Sequence, residues 1–113
     1  MLTLKDFEKA YDKVQEVVRS THLVRSEVFS EASGNNVYLK PENMQLTGAY
    51  KIRGAYYKIS TMSDEDREKG LITASAGNHA QGVAYAAREY GVRAVIVMPT
   101  TTPLMKVNRT KDL

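Results

Sequence analysis

The sequence predicts an α/β fold with an open parallel sheet and βαβ units, and three features of its second half predict it. A short apolar strand, Leu71–Ala74, precedes an alanine-rich helix over His79–Tyr90, and a second apolar strand, Arg93–Met98, follows. The links are short, with small residues at Ser75–Asn78 and a closing glycine at Gly91. Strand, helix and strand in that order form a right-handed crossover between parallel strands in nearly every case. A parallel sheet with one crossover usually needs more strands, and the helix opened by Thr102-Pro103 runs to Lys111-Asp112-Leu113 with no cap. The simplest reading is the N-terminal piece of a longer protein; a natural small domain with a frayed last helix is the alternative.

The remaining elements follow in chain order. Phe7, Tyr11, Val14 and Val18 recur at helical spacing and predict an amphipathic first helix, with Thr3 and Asp6 as a weak capping box. Glu27–Lys40 reads as two short strands around a turn at Gly34-Asn35-Asn36, and Pro41 stops the second of them. After the polar stretch Glu42–Gln45, a helix is expected from about Ala49 to Met62 with Thr47 as its cap. Ser63 and Asp66 open a short charged helix that Gly70 closes.

Composition narrows the functional classes. Of 113 residues, 42% are hydrophobic and 26% charged, an ordinary globular mixture that excludes disordered and fibrous classes. Sixteen basic against 13 acidic residues leave a net charge of +3 with the signs interspersed, which gives nucleic-acid binding no support. With no cysteine there is no disulfide framework or thiolate site, and no metal-ligand spacing occurs. The longest apolar run, Ala94–Met98, is far too short for a bilayer, and no signal pattern opens the chain, so the cytoplasm is the expected compartment.

Two clusters could carry chemistry. The first, Leu46–Ala55, places Lys51 at a loop-to-helix boundary, with Tyr50 before it and Gly48 and Gly54 on either side. An ammonium at a helix start opposes the dipole; burial there would favour the neutral amine that attacks carbonyl carbon. Tyr50 offers a flat face to a ring-shaped cofactor. The alternative is that Lys51 and Arg53 are solvated helix charges and Gly48 merely makes a turn.

The second cluster, Ser75–Gly82, lies at the carboxyl end of a predicted parallel strand and opens a helix. Exposed amides at such a position hold phosphate or carboxylate. It is neither a P-loop nor the dinucleotide glycine pattern. The alternative is a tight turn in which Asn78 caps the helix and Gly82 packs against the sheet. His79 and His22 read as structural histidines.

In this order and at this separation, KPENMQLTGAYKIRGAYYKI followed by GLITASAGNHAQGVAYAA closely resembles the N-terminal part of the threonine ammonia-lyases. These are pyridoxal-5′-phosphate enzymes of the tryptophan-synthase-β-like fold, fold type II. The likeness runs from the first helix to PTTTPLMK. It implies that Lys51 is the catalytic lysine that bonds the cofactor, and that Tyr50 replaces the usual phenylalanine. Asn78 would hold the cofactor's phenolic oxygen. Ser75, Gly77, Asn78 and His79 would grip the substrate carboxylate, while Arg53 and Gly54 look structural. The reaction implied is β-elimination from L-threonine or L-serine to 2-oxobutanoate or pyruvate and ammonia, a step that in some relatives feeds isoleucine biosynthesis. Serine racemases of similar fold tend to carry a serine where this chain has Ala76, which favours elimination.

The resemblance further implies that residues 1–45, an N-terminal helix and hairpin, belong to a large domain, and that 46–113 form an incomplete small α/β domain. The loop that holds the cofactor phosphate would lie beyond Leu113, so the 113 residues alone are expected to be inactive. A homo-oligomer with a small amino-acid substrate and no nucleic-acid or membrane partner is implied for the whole enzyme. The reading requires Lys51 to lie beside the Ser75–Gly82 turn, with a cavity between them. A non-catalytic anion-binding module and a serine racemase-like enzyme are the rival readings.

Overall fold

The computed structural model describes residues 1–113. Helix α1, Leu4–Val14, begins where the Asp6 carboxylate accepts from the Thr3 backbone N–H and from the Thr3 hydroxyl, both at 2.7 Å. It ends at Val14, short of the expected Val18. Phe7 and Tyr11 stand about three-fifths exposed, and only the Val14 end is covered, with Val17 and Val18 reaching the core from the turn that follows.

The segment read as two strands around a turn is instead a helix followed by a strand. Helix α2, Glu27–Ser33, is capped by the Ser26 hydroxyl, which accepts from the Phe29 N–H, and ends at Gly34 in the left-handed region (φ 67°). Gly34 therefore closes a helix and does not turn a hairpin. The short strands β1, Val24–Arg25, and β2, Tyr38–Leu39, pair antiparallel on either side of that helix. A 3₁₀ turn, Glu42–Met44, leads on toward α3, Lys51–Ser60. Helix α3 starts two residues later than expected. Gly48, at φ 71°, turns the chain, and the Thr47 hydroxyl donates to the Ala49 carbonyl, so Thr47 caps nothing.

Helix α4, Asp64–Glu68, carries the expected Ser63 cap, and Gly70 (φ 87°) closes it. Strands β3, Leu71–Ala74, and β4, Ala94–Val97, pair in parallel around α5, Asn78–Glu89, which is the βαβ unit expected. The end of α5 has the 6→1 hydrogen bond of a glycine cap, Val92 N–H to Ala87 C=O at 2.9 Å, around Gly91. Helix α6, Leu104–Lys111, follows Pro103. No helix is long and apolar enough to cross a membrane.

The core lies between α1, α3 and α5. Ile52, Ala55, Tyr56 and Ile59, spaced by three, one and three residues, form the buried stripe of α3. Facing it, α5 buries Ala80, Gly82, Val83, Ala86 and Ala87, residues small enough for the two backbones to come close. Inward residues of the sheet, Leu71 and Thr73 on β3 and Ala94 and Ile96 on β4, alternate with exposed Ile72, Ala74, Val95 and Val97.

Candidate functional site

The two sequence clusters meet where α3 and α5 begin. The helices run in the same direction: Gly82, in the second turn of α5, faces Lys51 in the first turn of α3, while Tyr90 just past α5 lies against Tyr56. A Cβ placed at Gly82 would stand 3.0 Å from the Lys51 carbonyl oxygen and 3.1 Å from its carbon. Gly82 thus packs on α3, not on the sheet. The bare backbone of one motif touches the bare backbone of the other.

Neither helix start is closed by a side chain. Tyr50, helical itself, precedes α3, and Gly77 precedes α5; neither position provides a side-chain cap. Asn78 is the first residue of α5 and not its cap. By contrast, α2 and α4 are closed by Ser26 and Ser63, and α1 by the Asp6 carboxylate on Thr3; α6, after Pro103, also starts without a side-chain cap. Uncapped first-turn N–H groups are orphan donors in a field that favours negative charge.

Ser75 sits at the carboxyl end of β3. Its N–H donates to the Val97 carbonyl at 3.0 Å, and its hydroxyl accepts from the Gly77 N–H at 3.2 Å. Those two bonds fix the turn and leave the Ser75 hydroxyl proton available. The space a Gly77 side chain would occupy is empty to 4 Å. Asn78 and His79 are exposed, and His79 borders a hollow of about 390 Å³ shared with Gly54, Lys58 and Val83. Gln81 is nine-tenths buried, and its Oε1 has no hydrogen-bond partner.

Lys51 is exposed, so these 113 residues do not supply the burial that sequence reasoning placed around its amine. Its Nζ lies 5.4 Å from the centroid of the Tyr50 ring, itself about three-fifths exposed. The Lys51 backbone lies against Gly82 as the reading required, but the hollow that His79 borders is not lined by Lys51.

Two residues beyond Lys51, Arg53 makes the forked ion pair that anchors this end of α3. Its Nε and Nη2 donate to the Glu42 carboxylate at 2.8 and 2.9 Å, and the Thr21 hydroxyl donates to the same group at 2.5 Å. Hydrogen bonding by Arg53 chiefly, opposed by partial burial and assisted by Thr21 and Gln45, holds the Glu42 carboxyl down at about 2. Gln45 extends the network by exchanging two hydrogen bonds with the Arg19 backbone. The expectation that Arg53 is structural fits this geometry. Sequence reasoning passed over Glu42 as part of a polar stretch; a carboxylate eleven residues before an arginine carries no local signal. It also missed Arg109, whose Nη2 would lie 3.0 Å from a Cβ at Gly48.

Residues 14–113 match the family of pyridoxal-phosphate dependent enzymes. The whole chain is 51% identical to an L-threonine ammonia-lyase of Thermotoga maritima and covers 28% of that protein. It is 49% identical over 98% of its length to a biosynthetic L-threonine dehydratase of Lactococcus lactis, of which it covers 27%. Among solved structures, threonine deaminase isoform 2 of Solanum lycopersicum superposes with a TM-score of 0.83 at 39% identity, covering 98% of this chain and 32% of that one. Serine racemase of Dictyostelium discoideum gives 0.92 at 33% identity, covering 98% and 36%. The chain thus spans about a third or less of the relatives it matches.

Proposed function

The chain belongs to the family of pyridoxal-phosphate dependent enzymes, and from that membership we propose that the protein it represents is an L-threonine ammonia-lyase, also acting on L-serine. The observation that carries this reading is the contact of the Lys51 carbonyl with Gly82, which brings the first turn of α3, where the lysine sits, against the helix whose uncapped start is able to hold a carboxylate. The names of the relatives at about half identity support elimination over racemisation. So does Ala76, which has no hydroxyl to move a proton on the second face of the substrate.

The residues fit the cofactor. Lys51 lies exposed at an uncapped helix start, the space at Gly77 is open, and the turn Ser75–Gly77 is built of small residues. Lys51 would bond the cofactor aldehyde, Tyr50 would flank its ring, and Asn78 would hydrogen-bond its phenolic oxygen. When bound, pyridoxal phosphate supplies an electrophilic carbon for the substrate amine and a ring that accepts the electron pair left at Cα.

The chain's own residues do the rest. First-turn N–H groups of α5, with Ser75, Gly77, Asn78 and His79, bind and orient the substrate carboxylate. Lys51, once free, takes the α-proton as a general base placed by α3. The β-hydroxyl would leave as water, and a second water would hydrolyse the released enamine to 2-oxobutanoate, or pyruvate from serine, and ammonia. Residues 46–113 would belong to a small domain, with 1–45 leading in from a larger one. The whole enzyme would be a cytoplasmic homo-oligomer.

Borohydride reduction in the presence of pyridoxal phosphate, followed by peptide mass analysis, tests the assignment. A reduced adduct on Lys51 is expected, and Lys51→Ala should lose both the adduct and at least about 10²-fold in turnover. An adduct on another lysine, or retained turnover in Lys51→Ala, overturns the reading.

A further inference from the structure

Gly82, in the second motif, takes no part in holding substrate or cofactor. Glycine inside a helix is less favourable than alanine, so its presence needs a reason. Left-handed backbone is not that reason: Gly34, Gly48, Gly70 and Gly91 have positive φ, and Gly82 lies within regular α5. Space is the reason. A Cβ at Gly82 would meet the Lys51 carbonyl oxygen at 3.0 Å, the Lys51 carbonyl carbon at 3.1 Å and the Ala55 Cβ at 3.3 Å. The first two are backbone atoms in the opening turn of α3 and cannot swing aside. Gly54, a helical glycine on α3, has nothing within 4 Å of its own Cβ position.

We infer that Gly82 is a positioning residue: its missing side chain lets α5 settle against the Lys51 carbonyl and so sets the distance from Lys51 to the Ser75–Asn78 turn. This rests on the proposed role of Lys51. Asn78 lies one turn upstream of Gly82 on the same helix, so any displacement of α5 at Gly82 reaches Asn78 almost undiminished. Restoring ordinary contact after adding a Cβ moves α5 away by a few tenths of an ångström. Lys51, on the helix that Arg53 ties to Glu42 of the 3₁₀ turn, does not follow. Reacting groups misplaced by about 1 Å lose roughly 10²-fold, so a shift of this size costs on the order of tenfold.

The experiment compares Gly82→Ala, Gly54→Ala and the double variant with wild type, as full-length cofactor-free protein to which pyridoxal phosphate is added at time zero. It follows the time course of the borohydride-trapped Lys51 adduct, the cofactor absorption band, kcat and KM, and the melting temperature of cofactor-free protein. Gly82→Ala should form the adduct on the order of tenfold more slowly and lose kcat more than KM rises. Gly54→Ala should match wild type or melt higher. The double variant, its fold reinforced by alanine at 54, should keep the slow adduct formation of Gly82→Ala. Wild-type adduct kinetics in Gly82→Ala, or their recovery in the double variant along with its melting temperature, overturns the inference. A wild-type protein that forms no adduct at Lys51 overturns the functional reading on which it rests.

Discussion

Where α3 and α5 begin, they touch through the backbone of Lys51 and a glycine, their first turns are uncapped, and the side chains of Lys51, Asn78 and His79 lie exposed. Where they finish, the same two helices are closed by large side chains. Tyr56 and Tyr90 stack with ring centroids 5.2 Å apart, Arg67 covers the Tyr90 ring at 5.1 Å, and Val14, Ile59 and Ala86 complete the cluster. The Tyr56 hydroxyl reaches Glu16 at 3.3 Å, and burial raises its pKa well above the usual phenolic value. The difference teaches that one end of the pair secures the fold while the other is kept free for a ligand. Groups that must change partners during a reaction cannot also be the groups whose contacts hold the helices together.

Tyr56→Ala tests that division most severely. It removes a ring that is 7% exposed and should cost about 3–5 kcal/mol, read as a fall in the urea midpoint of unfolding. In the variant that still folds under mild conditions, the Lys51 adduct should form at a rate close to wild type. Equal losses of stability and of adduct rate would abolish the distinction between the two ends.

A smaller effect is expected at the ion pair that anchors the start of α3. Arg53 lies on α3 close to Lys51, yet its guanidinium belongs to the structural network of Glu42, Thr21 and Gln45. Arg53→Ala leaves a half-buried carboxylate without its fork and should cost about 2 kcal/mol in urea unfolding. Arg53→Lys, with a point charge in place of two parallel donors, should recover only part of that. Full recovery by lysine would mean that charge, and not the fork, anchors this end of α3.

The same contrast governs how much could be read from the sequence. The βαβ unit was legible because its signals are local: an apolar run at Leu71–Ala74, small residues at the turn, and Gly91 after an alanine-rich stretch. Lys51 and the Ser75–Gly82 loop were legible as clusters, and their pairing follows from the resemblance they carry together. The helix at Glu27–Ser33 was missed because Val28 and Phe29 suggest strand, although Ser26 before it and Gly34 after it mark a short helix. The start of α3 was misplaced because Gly48 turns the chain where Thr47 offers a plausible cap. Partners distant in sequence leave no periodic trace. Glu42 with Arg53, Gly82 with Lys51, and Gly48 with Arg109 emerge only once the helices are assembled.

Acid provides the gentlest test of the Arg53–Glu42 pair. In the unfolded chain Glu42 should titrate near the ordinary value of 4.5, whereas in the fold Arg53 holds it at about 2. Between those values the unfolded state binds the extra proton, so stability falls as pH falls. The contribution of this pair is fully present above pH 4.5, declines through about pH 3, and is gone once Glu42 protonates in the folded state near pH 2. The other groups whose pKa is lowered, Asp6, Glu16 and Asp66, are exposed and take part in both proteins alike, so they cancel in a comparison of wild type with Arg53→Ala. The gap between the two urea midpoints should therefore be constant from pH 7 to about pH 5 and narrow steadily below it. A gap that stays constant down to pH 3 would show that Arg53 stabilises α3 through its packing and not through the carboxylate it clasps.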